Sequence, residues 1–216
     1  MRAPCPPARP SHSARQAARH TVLRATRPTA VNLSWALKRV VRKAAESDAT
    51  TGTELFDVVR AEAIEIHHED EQLCKRIGEN GVDLITPGSG VLTHCNAGRL
   101  ATSEYGTATA PMYLAHERGV EFRVYSDESR PLLQGSRLTS WELQQAGIDP
   151  GAVLIEPEPR NTAPAILAAA LHLAETDPDA LLLVAPSDHA IADAAGFREA
   201  VEEGVPAARE GRIVAF

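Results

Sequence analysis

Aromatic residues make up only 4% of this 216-residue chain, so a core must be built from Ala, Val, Leu and Ile. The 44% hydrophobic content is enough to build one. Long apolar runs are missing. The longest, such as Ala165–Leu171 and Ala180–Ala185, fall well short of the roughly 20 residues a membrane-spanning helix needs. Cysteine is scarce too. Cys5, Cys74 and Cys95 are odd in number and widely spaced, which argues against a disulfide framework and for a reducing, cytoplasmic location. Basic charge is outweighed: the net charge is −7 and no basic stripe lies beyond the N-terminus, which makes nucleic acid a poor partner. Acidic residues are absent from Met1 to His20, which is rich in Arg, Pro, Ala and Ser. A transit peptide has that composition, but Pro6, Pro7 and Pro10 oppose an amphipathic helix and no apolar core marks a secretory signal. Residues 1–20 are therefore read as a disordered or misassigned leader.

What is present is an α/β rhythm. Leu33, Leu37, Val40 and Val41 recur at helical spacing after Pro28, and Ala44–Gly52 reads as a loop. Glu54–Gly78 is the strongest predicted helix, ended by Glu79-Asn80-Gly81 with Gly81 suited to a left-handed cap. A short strand is expected at Val82–Ile85. A turn at Pro87–Gly90 precedes a strand from Val91 that ends in Thr93-His94-Cys95-Asn96-Ala97-Gly98. That order places a thiol at a strand's C-terminal tip, where open α/β sheets bind ligands. Gly98–Arg118 reads as helix with Gly119 as its cap, Glu121–Tyr125 as strand, Ser126–Arg130 as a polar loop, and the stretch from about Gly135 to Gln145 as helix stopped by Gly147. A second rhythm follows. It comprises a strand at Val153–Pro157, a helix at Pro164–Glu175 capped by Asn161 or Thr162, a strand at Ala180–Ala185, a helix at Gly196–Glu210 and a strand beginning at Arg212. The fold expected is a partial doubly wound (Rossmann-like) parallel sheet, preceded by a helical segment and followed by a second partial α/β unit.

Residues from about 27 to 148 resemble methylthioribose-1-phosphate isomerase of methionine salvage. The resemblance is carried by Arg27-Pro28-Thr29-Ala30-Val31-Asn32-Leu33, Leu92–Gly98, Ala101-Thr102 with Tyr105–Ala108, and Glu128–Leu143. The same fold family includes ribose-1,5-bisphosphate isomerases and regulatory subunits of the exchange factor for initiation factor two. The resemblance implies an aldose–ketose isomerase that converts S-methyl-5-thioribose 1-phosphate to the ribulose 1-phosphate without metal or nucleotide cofactor. It maps the catalytic Cys onto Cys95, a phosphate-contacting Arg onto Arg27 and a substrate-contacting Gln onto Gln134. The family's second acid–base group, an Asp in a Gly-Ala-Asp motif, has no counterpart in this sequence, and neither do its Asn-Lys pair and Arg-Gly-Ala loop. Little or no isomerase activity is therefore expected. A family homodimer is a further implication, as is a non-catalytic module of the exchange-factor type.

Residues from about 152 to 216 resemble mannose-1-phosphate guanylyltransferase through Glu156–Ile166 and Leu183–His189. This implies GTP and Mg²⁺, with Asp188 as the metal-binding Asp, but the family's Gly-rich nucleotide loop does not occur. The chain divides accordingly: 1–20 as leader, 21–148 as a partial isomerase-like region, and 149–216 as a partial nucleotidyltransferase-like region. Glu142–Ile148 suits either family, and the whole reads as a chimera whose last strand is cut short.

Read from the residues alone, several positions have two meanings. Cys95 is either an acid–base thiol or a small buried hydrophobe. Arg27 suits bidentate phosphate binding or is an ordinary surface Arg. Gln134 either reaches substrate hydroxyls or bonds backbone. His94 is a general base, an orienting group or a core residue. Asp188 reads better as a turn cap than as a Mg²⁺ ligand. Cys74 is structural, and His67-His68 belongs to a solvated helix face. The partner expected is a small phosphosugar, with no membrane or nucleic acid.

Overall fold

A computed structural model describes residues 21–26, 31–128, 132–155, 157–158, 162–185 and 193–215. The chain forms two compact units, Met1–Glu69 and Asp70–Phe216.

In the first unit, helix α1 spans Val31–Ala45 and helix α2 opens at Gly52. α1 runs through the expected loop start at Ala44, with Arg42 and Lys43 in its last turn, where cations suit the helix dipole. α2 begins on a reciprocal cap. The Glu54 amide donates to Thr51 Oγ1 at 3.2 Å, and Glu54 Oε2 accepts from the amides of Thr50 and Thr51 at 2.8 and 3.1 Å. These bonds hold the Glu54 carboxyl below its ordinary pKa, the Thr50 amide contributing most. Arg39 donates to Glu62 at 2.6 Å and to both oxygens of Glu69, with its guanidinium 5.4 Å from the Trp35 ring.

α2 continues to Gly81, three residues beyond the expected Gly78. Gly81 has φ −98°, so the left-handed cap expected there does not form. A 3₁₀ turn at Val82–Leu84 replaces the expected strand. Gly78 is buried, and a Cβ there would stand 2.7 Å from Leu114 Cδ1 and 3.1 Å from the Ala110 carbonyl oxygen. The missing side chain lets this end of α2 approach α3 (Ala110–Glu117) closely.

The second unit is built on three strands, β1 Gly90–His94, β2 Arg123–Glu128 and β3 Pro150–Ile155, in the order β1-β2-β3. Both pairings are parallel, with His94 beside Asp127 and Ser126 beside Val153. This is the parallel α/β sheet the sequence predicts. α3 crosses from β1 to β2, and α4 (Ser140–Gln145) crosses from β2 to β3. Val82, Ile85, Met112, Tyr113, Ala115, Val124, Leu143 and Ile148 form one core, so α3 and α4 cover the Val124 face. Successive strand residues face opposite ways. The next residue, Tyr125, meets His172 of α5 (Thr162–Ala174) edge-on at 5.7 Å, which gives the other face its own cover. A last helix, α6, spans Ala194–Arg209, with Asp193 Oδ1 accepting from the Gly196 amide.

Several expected elements take another form. Gly98–Arg118 is not one helix. A 3₁₀ turn at Arg99–Ala101 is followed by Tyr105 and Gly106 at φ 55° and 81°, which break helical geometry, and α3 starts only at Ala110. β2 runs on to Glu128, through residues expected in a loop. Thr162 is the first residue of α5 and not its cap, while Asn161 lies outside the described residues. Residues 180–185 and 212–215 are not strands. Leu181, Leu182, Leu183 and Val184 are each 40–55% exposed. An apolar run becomes a strand only where a neighbouring strand supplies hydrogen bonds and helices cover its faces.

Candidate functional site

The β1 tip behaves as its sequence suggests. The ladder with β2 extends one residue past His94, because the Cys95 amide donates to the Asp127 carbonyl at 3.1 Å. The chain then turns sharply, with Cys95 at φ 59°. A non-glycine residue in that region is uncommon and carries backbone strain, so its neighbours must hold it there. They do. Thr139 Oγ1 donates to the Cys95 carbonyl at 2.6 Å. Asn96 Nδ2 donates to Thr139 Oγ1 at 3.1 Å and to Glu142 Oε1 at 3.4 Å. The Leu100 amide donates to Glu142 Oε2 at 3.0 Å. The Thr107 amide closes the far side of the loop on the Ala97 carbonyl at 2.8 Å.

The facing segment leads into α4. Leu133 is left-handed as well, at φ 55°, and Gln134 precedes a π-helical turn at Gly135–Thr139. Such turns often mark functional sites. Here the turn aims Gln134 back at β1, and the Cys95 thiol donates to Gln134 Oε1 at 2.9 Å. Cys95 is half-buried. The contact joins two residues that the sequence resemblance had assigned separately.

Two buried carboxylates flank this loop. Asp127, at the β2 tip, is buried and lies 3.3 Å from His94 Nδ1, while the imidazole itself is 40% exposed. Glu142 is buried on α4, and loss of solvation pushes its carboxyl above the ordinary value, although the Leu100 amide, Arg99 and Asn96 pull the other way. The Arg99 guanidinium lies 4.2 Å from the Tyr113 ring and 5.3 Å from that of Tyr105. Burial also drives the Tyr113 phenol up to about 12. Cys74 is buried, and desolvation raises its thiol, as suits a structural cysteine.

Of the sequence-predicted site residues, the fold brings Cys95 and Gln134 together. Arg27 and Asp188 lie outside the described residues. His67 and His68 are 6.0 Å apart on α2, and no group of three metal-binding side chains occurs among the described residues. Sequence reasoning missed Asp127, Thr139 and Glu142. The signal available for Asp127 was its place after an alternating strand. Glu142 gave no local signal, because an acid on a short helix is ordinarily solvated.

The model of the initiation factor 2 subunit family matches residues 15–156. The chain belongs to that family. A nucleotidyl transferase model matches residues 136–216, a smaller part that overlaps the first. Family relatives include a 5-deoxyribose 1-phosphate isomerase of Clostridium botulinum (strain Okra / Type B1), 60% identical over 127 residues, which are 59% of this chain and 36% of the relative. The protein of the same name from Bacillus thuringiensis (strain Al Hakam) is 58% identical over 127 residues, covering 59% of this chain and 37% of its own length. The chain thus spans little more than a third of the curated relatives it matches. Among solved structures, 5-methylthioribose 1-phosphate isomerase from Pyrococcus horikoshii OT3 superposes with a TM-score of 0.59 at 35% identity, over 72% of this chain and 40% of that one. Translation initiation factor eIF-2B subunit delta from A. fulgidus gives 0.56 at 40% identity, over 66% and 41%. The α/β fold is the one expected from the strand–helix rhythm, and the family is the broader one within which the expected isomerase resemblance falls.

Proposed function

We propose that this chain carries the thiol-bearing half of an aldose–ketose isomerase site for a pentose 1-phosphate that lacks a free 5-hydroxyl. The observation that carries this reading is the 2.9 Å contact between Cys95 Sγ and Gln134 Oε1 at a parallel-sheet tip. The relatives' names support two substrates, 5-deoxyribose 1-phosphate and its methylthio counterpart. In either, phosphate on C1 prevents simple opening to an aldehyde. The C1–ring oxygen bond breaks as the ring oxygen gains a proton. Hydrogen moves from C2 to C1, and the C2 hydroxyl loses its proton as the ketone forms. One proton is delivered and one accepted, so the steps balance with protein groups alone. Cys95 suits one of these transfers, since it places an S–H donor at the sheet tip beside Gln134. Gln134 would orient the sugar hydroxyls, and Arg27 would hold the phosphate. The second acid–base group that the family resemblance calls for, in a Gly-Ala-Asp motif, is not in this sequence. Sugar-phosphate binding with little turnover is the expected behaviour.

The test is protection of Cys95. Iodoacetamide labelling of the purified chain, with peptide mapping to separate Cys95 from Cys5 and Cys74, should slow at Cys95 when millimolar 5-deoxyribose 1-phosphate or its methylthio analogue is added. Phosphorus NMR should show little ketose phosphate. Absence of both protection and turnover would defeat the binding reading. Turnover at an ordinary isomerase rate, abolished by Cys95→Ala, would defeat the expectation of weak activity.

A further inference from the structure

We propose that Glu142 and Thr139 are positioning residues that clamp the Cys95 loop in its left-handed turn, and that the sulfur stands at Gln134 because of them. Its catalytic meaning rests on the isomerase reading above, but its geometry does not.

A left-handed cysteine returns to ordinary backbone unless something opposes it. Two groups on the π-turn and α4 oppose it here. Thr139 Oγ1 holds the Cys95 carbonyl itself, and Glu142 takes the Leu100 amide at the other end of the same loop. Asn96 bridges them, reaching both Thr139 and Glu142. The loop leaves no room for slack: a Cβ on Gly98 would stand 1.3 Å from Glu142 Oε1. The carboxylate therefore fills the space that glycine vacates. Gln134 precedes the same π-turn, so the clamp and the thiol's partner are parts of one continuous segment. Burying a carboxylate opposes its solvation, and desolvation is the largest influence on this one. A network that holds a buried charge and a strained cysteine together fixes a geometry that hydrophobic packing alone would not specify.

The experiment reads iodoacetamide labelling of Cys95 in the full chain, with buried Cys74 as the internal reference for an intact fold. Glu142→Ala and Thr139→Val should each speed labelling of Cys95 about tenfold, the consequence of losing one or two hydrogen bonds that hold it, while Cys74 stays protected. Glu142→Gln retains an acceptor for the Leu100 amide and should stay within about threefold of wild type. Cys95 rates at or below wild type in both Glu142→Ala and Thr139→Val, with Cys74 protected, would overturn the proposal. If Glu142→Ala also unmasks Cys74, the near-isosteric Thr139→Val decides by the same criterion. Failure of the isomerase reading shows separately, as lack of protection by sugar phosphate in the wild-type chain, and leaves these rates unaltered.

Discussion

Gly98→Ala is the sharpest test of the packing around the cysteine loop. Gly98 has φ −104° and ψ −161°, extended backbone that alanine adopts freely, so the substitution carries no backbone strain. Its effect is steric. The new methyl would stand 1.3 Å from Glu142 Oε1, 2.3 Å from Cδ and 2.7 Å from Oε2. The carboxylate must swing away and release the Leu100 amide and the Asn96 side chain. An abandoned buried donor costs about 1–3 kcal/mol, and forcing extra volume into a packed site adds about 1–3 kcal/mol. Replacing glycine returns roughly 0.4–1 kcal/mol through the unfolded chain. The net loss should be about 2–4 kcal/mol. Urea unfolding followed by Trp141 fluorescence, in a Trp35→Phe background, reports the unit that holds α4. A midpoint shift at constant slope gives the loss. The control is the same substitution in Glu142→Ala, where the clash is gone and the cost should drop below about 1 kcal/mol. A single variant within about 0.5 kcal/mol of wild type, or an equal cost in both backgrounds, would refute the reasoning.

The pH dependence of Glu142 has a definite sign. Its folded pKa lies above the ordinary 4.5, so its contribution to stability is fully present below 4.5 and is lost as pH rises through the higher folded value. Glu142→Gln should remove that slope, and a urea midpoint difference between the two proteins that does not change from pH 7 to pH 4.5 would contradict it. Leu143 is fully buried on α4 within the core, and Leu143→Ala should cost about 2–5 kcal/mol in the same assay. Tyr113 buries a hydroxyl that has no partner among the described residues. Tyr113→Phe should be neutral or stabilising by up to about 1 kcal/mol, and a loss of more than that on thermal unfolding would show the hydroxyl to be bonded.

Much of the fold was legible because it depends on local pattern. Leu33, Leu37, Val40 and Val41 mark one helix face, and the apolar residues 91–92 followed by Thr-His-Cys-Asn mark a strand ending in a polar tip. Gly119 and Gly147, both at positive φ, end the elements they were expected to end. The failures share one cause. The stretch 180–185 has the composition of a buried strand and is none, because composition reports a preference for burial but not the presence of a sheet to supply it. Val82–Leu84 is equally apolar at its ends and becomes a 3₁₀ turn continuing from α2. Tyr105 breaks the expected long helix through a left-handed conformation that no residue preference announces for tyrosine.

By itself the sequence determined the α/β character and the thiol at the end of β1, since helical spacing, alternation and the Thr-His-Cys-Asn tip are local patterns. The family resemblance singled out Gln134 without placing it at the sulfur, 39 positions away. The tertiary structure alone decided that Asp127 and Glu142 are buried and that the cysteine turns left-handed. Leu100 and Glu142 are 42 positions apart, and Cys95 and Thr139 are 44. Contacts across such separations depend on how α4 returns along β2, and burial of a charge is settled only by the groups that surround it once the chain has folded.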